Sequence, residues 1–393
     1  MIQVLECLCG DLEHVPVNAG LVDTIAEAFS DEISVFSEPA HGVHLRAALG
    51  DRHRGRIQWV DVAIPARRAG IAARMPHEYR LLRRMATGRG VVRLRLLLSA
   101  HRSALWALRL RRAFARDRIP TQVVLHGEVS EVAGWRSRNP LRRLFDMRST
   151  LARCWGRGIQ YLALEDAIAE RLRAEMPGLA SGVGSVPHPI LASELAEPPQ
   201  PAVNSAVRVA FLGLATEAKG FGVFREVAER MARECPGRFE FTVVGSLPPA
   251  SDSRAVRALA RQPAVEQISR PDYLAGLRAA HYVCLPFRGS HYDFAASGAL
   301  LDAVANLRPV IALPTPVLTR MFRTHDIGYL CQSPDEMVAV LRQVASAFPE
   351  HAYRAQVAAL TALRSDRLPR ALAAKYRALT ESFLHGLQPG APV

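Results

Sequence analysis

The sequence of this chain predicts an α/β protein made of two doubly wound, parallel-sheet domains that face each other across a cleft. Short apolar runs, which are typical of buried strands, alternate along the chain with helical patterns of roughly 10 to 17 residues. Such alternation indicates βαβ units and a parallel sheet. The length of 393 residues suits two or three domains. A proline-rich run, 197–201, lies near the middle and is the best candidate for a linker.

These observations divide the chain into an N-terminal domain over 1–190, a linker over 191–206 and a C-terminal domain over 207–365. A C-terminal helix and tail follow over 366–393, and this helix is long enough to pack back on the N-terminal domain. The predicted strands are 1–8, 33–36, 57–64, 91–98, 121–125, 159–164, 183–186, 207–212, 239–244, 265–268, 282–286, 310–313 and 327–330. The predicted helices are 21–29, 41–49, 67–89, 101–118, 167–176, 221–234, 272–280, 297–306, 336–347 and a helical tail over 354–387.

Three histidines follow predicted strands of the N-terminal domain, namely His14, His101 and His126. Ligands of parallel sheets bind beyond the carboxyl ends of the strands, so these side chains lie on the rim where a substrate is expected. A single histidine more often packs or caps a helix than reacts. Three histidines at corresponding positions favour a functional site, and His126 is the strongest of them.

One stretch of the C-terminal domain, 284–314, joins a strand, a polar loop, a helix and a further strand. Ser297 is a typical N-cap, and Gly298 and Ala299 open the helix. The helix must end near Asn306 because Pro309 cannot continue it. Free backbone N–H groups and the helix dipole favour an anion at such a start, typically a phosphate. An ordinary helix that Ser297 merely caps is the alternative interpretation.

The chain is basic, with a formal net charge of +13 and a pI of about 10.1. Within 67–118, 15 arginines stand against Glu78 and Asp117 alone. Such a segment attracts nucleic acid, anionic lipid head groups or phosphorylated substrates. The chain has no apolar run of about 18 residues and no export signal, so we expect a cytoplasmic protein without a membrane span.

The six cysteines are scattered, most of them in apolar runs, which indicates reduced and buried thiols. Cys7, Cys9 and His14 are close in sequence and are potential metal ligands. No second cluster of ligands accompanies them, so the sequence predicts no metal site.

Several motifs of the second half resemble the donor domain of GT-B glycosyltransferases, most closely the retaining, nucleotide-sugar-dependent group 1 enzymes (family 4-like). Phe211-Leu212-Gly213 followed by Lys219-Gly220-Phe221 is similar to the first strand, loop and helix of that domain. The run 297–303, followed by 308–312, resembles its donor-site helix and the next strand. His126-Gly127 looks like the histidine pair that ends a strand of the family's first domain. The resemblance implies two Rossmann-like domains and glycosyl transfer.

The resemblance also implies roles on the donor side. A lysine at the position of Lys219 neutralises the diphosphate of the donor, together with Gly213 and the helix start at Ser297, Gly298 and Ala299. Asp302 stands where a glutamate of the family holds the ribose hydroxyls. The family's other glutamate is replaced by Phe294, next to Asp293, which is then the candidate for sugar contact. The arginine that usually accompanies the lysine is replaced by Leu214.

On the acceptor side, the resemblance implies that His126 reaches the reactive face of the sugar. Glu128 is the candidate for orienting the acceptor or acting as base. We assign His14, Asn18 and His101 to the acceptor side. No metal or other cofactor is required; the donor substrate is a nucleotide-diphosphate sugar. One partner implied is an acceptor such as a lipid-linked saccharide. The other is an anionic membrane surface, which the Arg-rich N-terminal domain would bind at the inner face of the membrane.

Other functions remain open at the level of sequence. A sugar-nucleotide epimerase would need paired acids at the sugar, and we locate none. A basic nucleic-acid-binding protein fits the charge, but the aromatic content is 7% and no nucleic-acid-binding motif is found. Because of Phe294 and Leu214, a catalytically inactive scaffold of the same fold is a further alternative. Polysaccharide, glycolipid or glycoconjugate biosynthesis is the expected setting of the active enzyme.

Overall fold

The computed structural model describes residues 1–66, 68–86, 90–132, 134, 138–202, 205–248 and 256–387. The chain divides into two compact units. The first unit consists of Met1–Ser193 together with Arg367–Val393, and the second unit consists of Glu194–Asp366. Each unit holds one parallel sheet with helices on it, so the predicted fold class is confirmed.

The first unit is built on a seven-stranded parallel sheet in the order β3-β2-β1-β4-β5-β6-β7. Its strands are β1 (Ile2–Glu6), β2 (Ile33–Ser37), β3 (Ile57–Asp61), β4 (Leu94–Ser99), β5 (Thr121–Leu125), β6 (Ile159–Ala163) and β7 (Val183–Ser185). Its helices are α1 (Val15–Ala28), α2 (Pro39–Leu49), α3 (Ile71–Ala86), α4 (Arg102–Phe114), α5 (Pro140–Leu144), α6 (Met147–Cys154), α7 (Asp166–Glu175) and, near the C-terminus, α14 (Pro369–His385).

The second unit is built on a six-stranded parallel sheet in the order β10-β9-β8-β11-β12-β13. Its strands are β8 (Val207–Leu212), β9 (Phe239–Val244), β10 (Leu259–Arg261), β11 (Tyr282–Leu285), β12 (Val310–Ala312) and β13 (Gly328–Leu330). Its helices are α8 (Phe221–Glu234), α9 (Arg270–Ala279), α10 (Gly298–Ala305), α11 (Pro316–Thr324), α12 (Pro334–Ser346) and α13 (Glu350–Ser365).

Both cores follow from the apolar patterns of the sequence. The central strands β1 and β8 are almost wholly buried, as expected for a parallel sheet covered on both faces. In the second unit the ring of Phe224 on α8 packs against those of Phe211 and Phe241, with centroids 5.4 and 5.8 Å away. This contact fixes α8 on the sheet, and with it the loop that precedes α8.

The helix α14 returns to the first unit and packs against α1 there. Arg377 donates a hydrogen bond from Nε to the carbonyl oxygen of Ala28 at 2.5 Å. The hydroxyl of Tyr376 donates to Gln122 Oε1 of β5 at 2.7 Å. The predicted helical tail is therefore two helices, because Pro369 begins a new one and disfavours a helical Leu368 before it.

Several sequence predictions are wrong in detail. A strand is absent over 265–268, where Val265 is 78% exposed; the strand next to β9 is instead Leu259–Arg261. The predicted helix over 67–89 is observed as Ile71–Ala86, and residues 67 and 87–89 lie outside the described part of the chain. The helices α5, α6 and α11 were not predicted. Within the described residues, none of the helices combines the length and the apolar character that a membrane span needs.

Candidate functional site

The loop after β8 brings the predicted Gly213 and Lys219 together. Gly213 has φ +85°, a conformation that favours glycine. A Cβ atom at Gly213 would lie 2.7 Å from Lys219 Nζ, so the ammonium group lies directly over this glycine. The loop therefore presents a positive charge at the carboxyl end of β8, where parallel sheets bind ligands.

The turn that carries Lys219 rests on the segment after β11. Gly220 has φ +79°, and a Cβ atom there would lie 1.7 Å from the carbonyl oxygen of Pro286. The backbone N–H of Arg288 also donates to the carbonyl oxygen of Ala218 at 3.1 Å. Because only glycine permits the close approach at position 220, the two loops form one surface. The second of these loops leads to α10.

The start of α10 has the arrangement predicted from the sequence. Ser297 is the N-cap, and its hydroxyl accepts a hydrogen bond from the backbone N–H of Leu300 at 3.3 Å. Gly298 is exposed, and a Cβ atom there would meet no atom within 4 Å. The first N–H groups of a helix have no acceptor within the helix. The backbone of Gly298 and Ala299 is thus available to an anion.

The charges around Lys219 suit a bound phosphate. Burial lowers the pKa of Lys219, and the negative charge of Asp302 opposes this shift. The Asp302 carboxylate is itself paired with Arg270 and accepts a hydrogen bond from Tyr273. Lys219 therefore lies near one acidic side chain whose charge is partly offset by another cation.

Phe294 and Leu214, the two residues that depart from the family pattern, differ in their surroundings. Phe294 is 1% exposed and belongs to the core, so the position where the resemblance expects a glutamate carries no polar group. Asp293 precedes it at the end of a short 3₁₀ helix, Ser290–Asp293, and is partly buried. Leu214 is 39% exposed beside Gly213. Sequence reasoning anticipated both replacements but not the burial of Phe294.

In the first unit, the structure brings His14 and His126 together. Their ring centroids are 5.1 Å apart in an edge-to-face arrangement. The carbonyl oxygen of Leu98 lies 2.6 Å from His126 Nε2 and can only accept, so Nε2 carries the proton. Burial lowers the pKa of His126 to about 4, so the ring is neutral at pH 7 and Nδ1 is left as an acceptor.

His14 itself is exposed, in the left-handed conformation that precedes α1. Although the residue as a whole is exposed, its ring lies against that of His126, and the loss of solvent there, followed by the charge of His126, lowers the pKa of His14, whereas Glu128 raises it. Glu128 lies in the short 3₁₀ helix Gly127–Val132 that follows His126. The structure therefore collects His14, His126 and Glu128 at one end of the sheet.

The two remaining predicted residues of the first unit have structural partners. His101 is the N-cap of α4 rather than its first residue, and its Nδ1 accepts from the backbone N–H of Ser103 at 3.3 Å. Burial, followed by the charge of Arg74, lowers the pKa of His101 to about 4. Asn18 is fully buried and donates to Glu6 Oε2 at 2.9 Å.

Sequence reasoning missed Glu6, the last residue of β1. Glu6 is fully buried and accepts hydrogen bonds from the backbone N–H groups of Leu8 and Cys9 at 2.7 and 2.8 Å, and from Ser99. Burial raises the pKa of Glu6. The carboxyl group holds the start of the loop that leads to His14. A single acidic residue at the end of an apolar strand was the signal available in the sequence.

One cluster among the described residues has donor atoms close enough for a metal ion, formed by Asp23, Glu27 and His53. Arg52 Nη2 already lies 3.1 Å from Asp23 Oδ1 and 3.2 Å from Glu27 Oε1. The cluster is therefore an ion-pair network in this structure. The Cys7 thiol donates to the carbonyl oxygen of Ser99 at 3.3 Å and is not directed to His14.

The chain is similar to known proteins in sequence and in fold. Residues 206–347 match the family described as "Glycosyl transferases group 1". No curated protein sequence matches the chain. Among solved structures, sucrose-phosphate synthase from Thermosynechococcus elongatus is similar with a TM-score of 0.67 and 14% identity, over 98% of this chain and 100% of that chain.

Two further structures are similar over nearly their whole length. Anabaena HepE, in complex with UDP and glucose, has a TM-score of 0.66 and 13% identity over 97% of this chain and 99% of that chain. An α,α-trehalose-phosphate synthase (UDP-forming) from Burkholderia vietnamiensis has a TM-score of 0.63 and 13% identity over 98% and 99%. Residues 206–347 are therefore similar to a group 1 glycosyltransferase domain, and the whole chain shares the fold of these solved structures.

Proposed function

We propose that this enzyme transfers a glycosyl group from a nucleoside-diphosphate sugar, whose diphosphate is held by Lys219 and the start of α10. The observation that carries the proposal is the position of the Lys219 ammonium over Gly213, in a loop packed against the segment that leads to α10. Lysine and free helix N–H groups are the groups expected around a phosphate. Asp302 and Asp293 complete the donor side, toward the ribose and the sugar.

The reaction breaks the bond between the anomeric carbon and a phosphate oxygen, and it forms a bond from that carbon to the acceptor oxygen. The electron pair of the broken bond stays on the departing diphosphate. Fixed positive charge near that oxygen stabilises the transition state and is usually the largest catalytic contribution. Lys219 and the backbone N–H groups of Gly298 and Ala299 supply it, so we propose that no cofactor is required.

We assign the acceptor to the first unit. The acceptor hydroxyl loses a proton as the new bond forms, and Glu128 is the base that we propose. His126 is neutral and offers Nδ1 as a hydrogen-bond acceptor to a sugar hydroxyl. Following the resemblance to the retaining group 1 enzymes, we propose that the configuration at the anomeric carbon is retained.

We propose that the donor is a UDP-sugar such as UDP-glucose. Similar structures support this choice, since HepE has been solved with UDP-glucose and the trehalose-phosphate synthase from Burkholderia vietnamiensis is UDP-forming. The test is a thermal-shift series with UDP, GDP, ADP and dTDP, with and without a sugar. A ligand at about 100 times its Kd stabilises the native state by about 2.7 kcal/mol.

The chain offers a matched control for this test, because Lys219 and Lys375 are its only lysines. Lys375 lies on α14 and pairs with Asp166 at 3.1 Å. We expect the UDP shift to disappear in Lys219→Ala and to persist in Lys375→Ala. Absence of any nucleotide shift in the folded wild type would overturn the proposal, as would an undiminished shift in Lys219→Ala.

For the acceptor we propose a phosphate-bearing saccharide, of which a lipid-linked saccharide is one form. Arg80 and Arg83 of α3 and Arg109 of α4 are exposed on neighbouring helices of the first unit. A trehalose-phosphate synthase of the same fold is known with glucose-6-phosphate. The lipid-linked form would place the enzyme at the inner face of the membrane, in polysaccharide or glycolipid synthesis.

Two assays separate these acceptors. In the first, UDP release from UDP-glucose is measured with glucose-6-phosphate in solution. In the second, the acceptor is a polyprenyl-phosphate-linked saccharide in anionic vesicles, and binding of the protein to the vesicles is followed by sedimentation. Activity with the first acceptor and no vesicle binding would exclude the membrane setting.

A further inference from the structure

A side-chain network around Asp302 restricts what this residue can bind. The guanidinium group of Arg270, at the start of α9, donates from Nη2 to Asp302 Oδ1 at 2.6 Å and from Nη1 to Oδ2 at 3.2 Å. The hydroxyl of Tyr273, one turn along α9, donates to Oδ2 at 2.8 Å. The side chain of Asp302 is 16% exposed, so this network lies at the edge of solvent.

The network leaves one acceptor site on the carboxylate. Each carboxylate oxygen has two lone pairs, which makes about four acceptor sites in all. Oδ2 uses both of its sites, for Arg270 and Tyr273, and Oδ1 uses one, for Arg270. Among the described residues, no further donor to the carboxylate is found. Oδ1 can therefore accept one more hydrogen bond.

Arg270 is itself held from the other side. Its Nε donates to Glu194 Oε1 at 2.9 Å, and its Nη2 also contacts Glu194. The guanidinium carbon lies 5.0 Å from the ring centroid of Tyr273. Burial and the neighbouring carboxylate raise the pKa of Tyr273, so its hydroxyl stays a donor. Arg270 is thus fixed in one orientation by groups from three parts of the second unit.

The network around Asp302 also affects the electrostatic environment of a diphosphate bound near Lys219. Asp302 is close enough to Lys219 to affect its protonation. A bare carboxylate beside a diphosphate would repel it, whereas the guanidinium fork of Arg270, which Asp302 shares with Glu194, offsets part of the charge of Asp302. Arg270 therefore lets Asp302 serve as a hydrogen-bond acceptor close to the phosphates.

We propose that Arg270 and Tyr273 are positioning residues that orient Asp302 so that its Oδ1 accepts a hydrogen bond from a single ribose hydroxyl of the donor. This inference rests on the proposed function. It narrows the role of Asp302, since the resemblance alone implies that both ribose hydroxyls are held there. It also assigns roles to two residues that the sequence motifs do not include.

The first experiment compares UDP with 2′-deoxy-UDP and 3′-deoxy-UDP by calorimetric titration of the wild type. We expect one of the two analogues to bind about tenfold more weakly than UDP, because one hydrogen bond to a charged acceptor is lost. The other analogue should bind as UDP does. Equal weakening of both analogues, or of neither, would overturn the proposal.

The second experiment repeats the titrations with Arg270→Gln and Arg270→Lys. Arg270→Gln should bind UDP at least tenfold more weakly and lose most of the discrimination against the sensitive analogue. Arg270→Lys should recover part of the affinity, because the charge is kept but the fork is lost. A merely structural role would weaken UDP and both analogues by the same factor, and that result would contradict the proposal.

Controls separate this inference from the proposed function. Arg225→Gln, on the exposed face of α8, removes a guanidinium without touching the network and should bind like the wild type. Thermal unfolding without ligand identifies variants that do not fold. If the Arg270 variants do not fold, Tyr273→Phe is titrated in their place, because it removes only one hydrogen bond to Asp302. If UDP binding depends on Lys219 while Arg270→Gln binds normally, only this inference fails. If the wild type binds no UDP, both fail.

Discussion

Lys219 is the residue on which the proposed donor site depends most directly. It binds an anion only while it is protonated, and burial lowers its pKa below the ordinary value of 10.5. The nearby carboxylate of Asp302 limits this shift. A half-buried lysine therefore combines a strong interaction with phosphate and a sensitivity to alkaline pH that a fully exposed lysine would not show.

We predict that the affinity for UDP decreases as the pH rises toward 10.5, before an ordinary lysine would lose its proton. The sign follows from the lowered pKa, because the ammonium form is lost at a lower pH. Lys219→Arg should keep its affinity over this range, since a guanidinium stays charged. Calorimetric titration with UDP at several pH values measures the affinity. If the affinity changed with pH in the same way in the wild type and in Lys219→Arg, the prediction would be contradicted.

At the scale of elements, α10 combines a structural cap with the helix start that we propose binds the diphosphate. Ser297 and Thr315 are N-caps of the neighbouring helices α10 and α11, and they accept from the backbone N–H groups of Leu300 and Leu318 at 3.3 and 3.2 Å. Only α10 also opens on the glycine of position 298, which has free space around it. We therefore expect the two caps to be equivalent for stability but not for function.

We predict that Ser297→Ala and Thr315→Ala each lower the free energy of unfolding by about 1 kcal/mol. Only Ser297→Ala should also weaken UDP binding, by a few fold, because the first turn of α10 then frays. Chemical denaturation and calorimetric titration of both variants test this pair. Equal effects on UDP binding would argue against a phosphate at the start of α10.

At the scale of the whole molecule, histidines make the fold sensitive to acid. Burial is the main cause that lowers the pKa of His126 and of His281 from 6.5 to about 4. His126 belongs to the first unit and His281 to the second. The unfolded chain takes up protons at these groups at a higher pH than the folded chain, so protonation favours unfolding.

We predict that the free energy of unfolding decreases as the pH falls from about 6.5 to about 4, by at most about 1.4 kcal/mol per pH unit for each such histidine. The stabilisation that each histidine contributes is complete above pH 6.5. It is lost as the pH falls to about 4, the pKa of these histidines in the folded protein. In His126→Gln, the free energy of unfolding should change less steeply with pH. The difference from the wild type should be at most the contribution of one proton, about 1.4 kcal/mol per pH unit. Denaturant midpoints measured across this range check the expectation, and an unchanged slope would refute it.

Much of the fold was predictable because strand and helix formation follow local patterns. The strands 121–125, 207–212 and 239–244 have the predicted bounds, since each is a short apolar run between polar turns. The cap at Ser297 was predictable for the same reason. The strand next to β9 was not, because Leu259–Arg261 is short, and the more apolar run after it is exposed at Val265.

The sequence by itself determined the fold class, most elements and the turn that carries Gly213 and Lys219, because these depend on patterns within a few residues. Only the tertiary structure decided which side chains meet. His14 lies against His126, and Asp302 is paired with Arg270, 32 positions before it in the chain. Such pairs depend on the order of strands in each sheet, which local periodicity does not encode, and on the burial of each ionisable group.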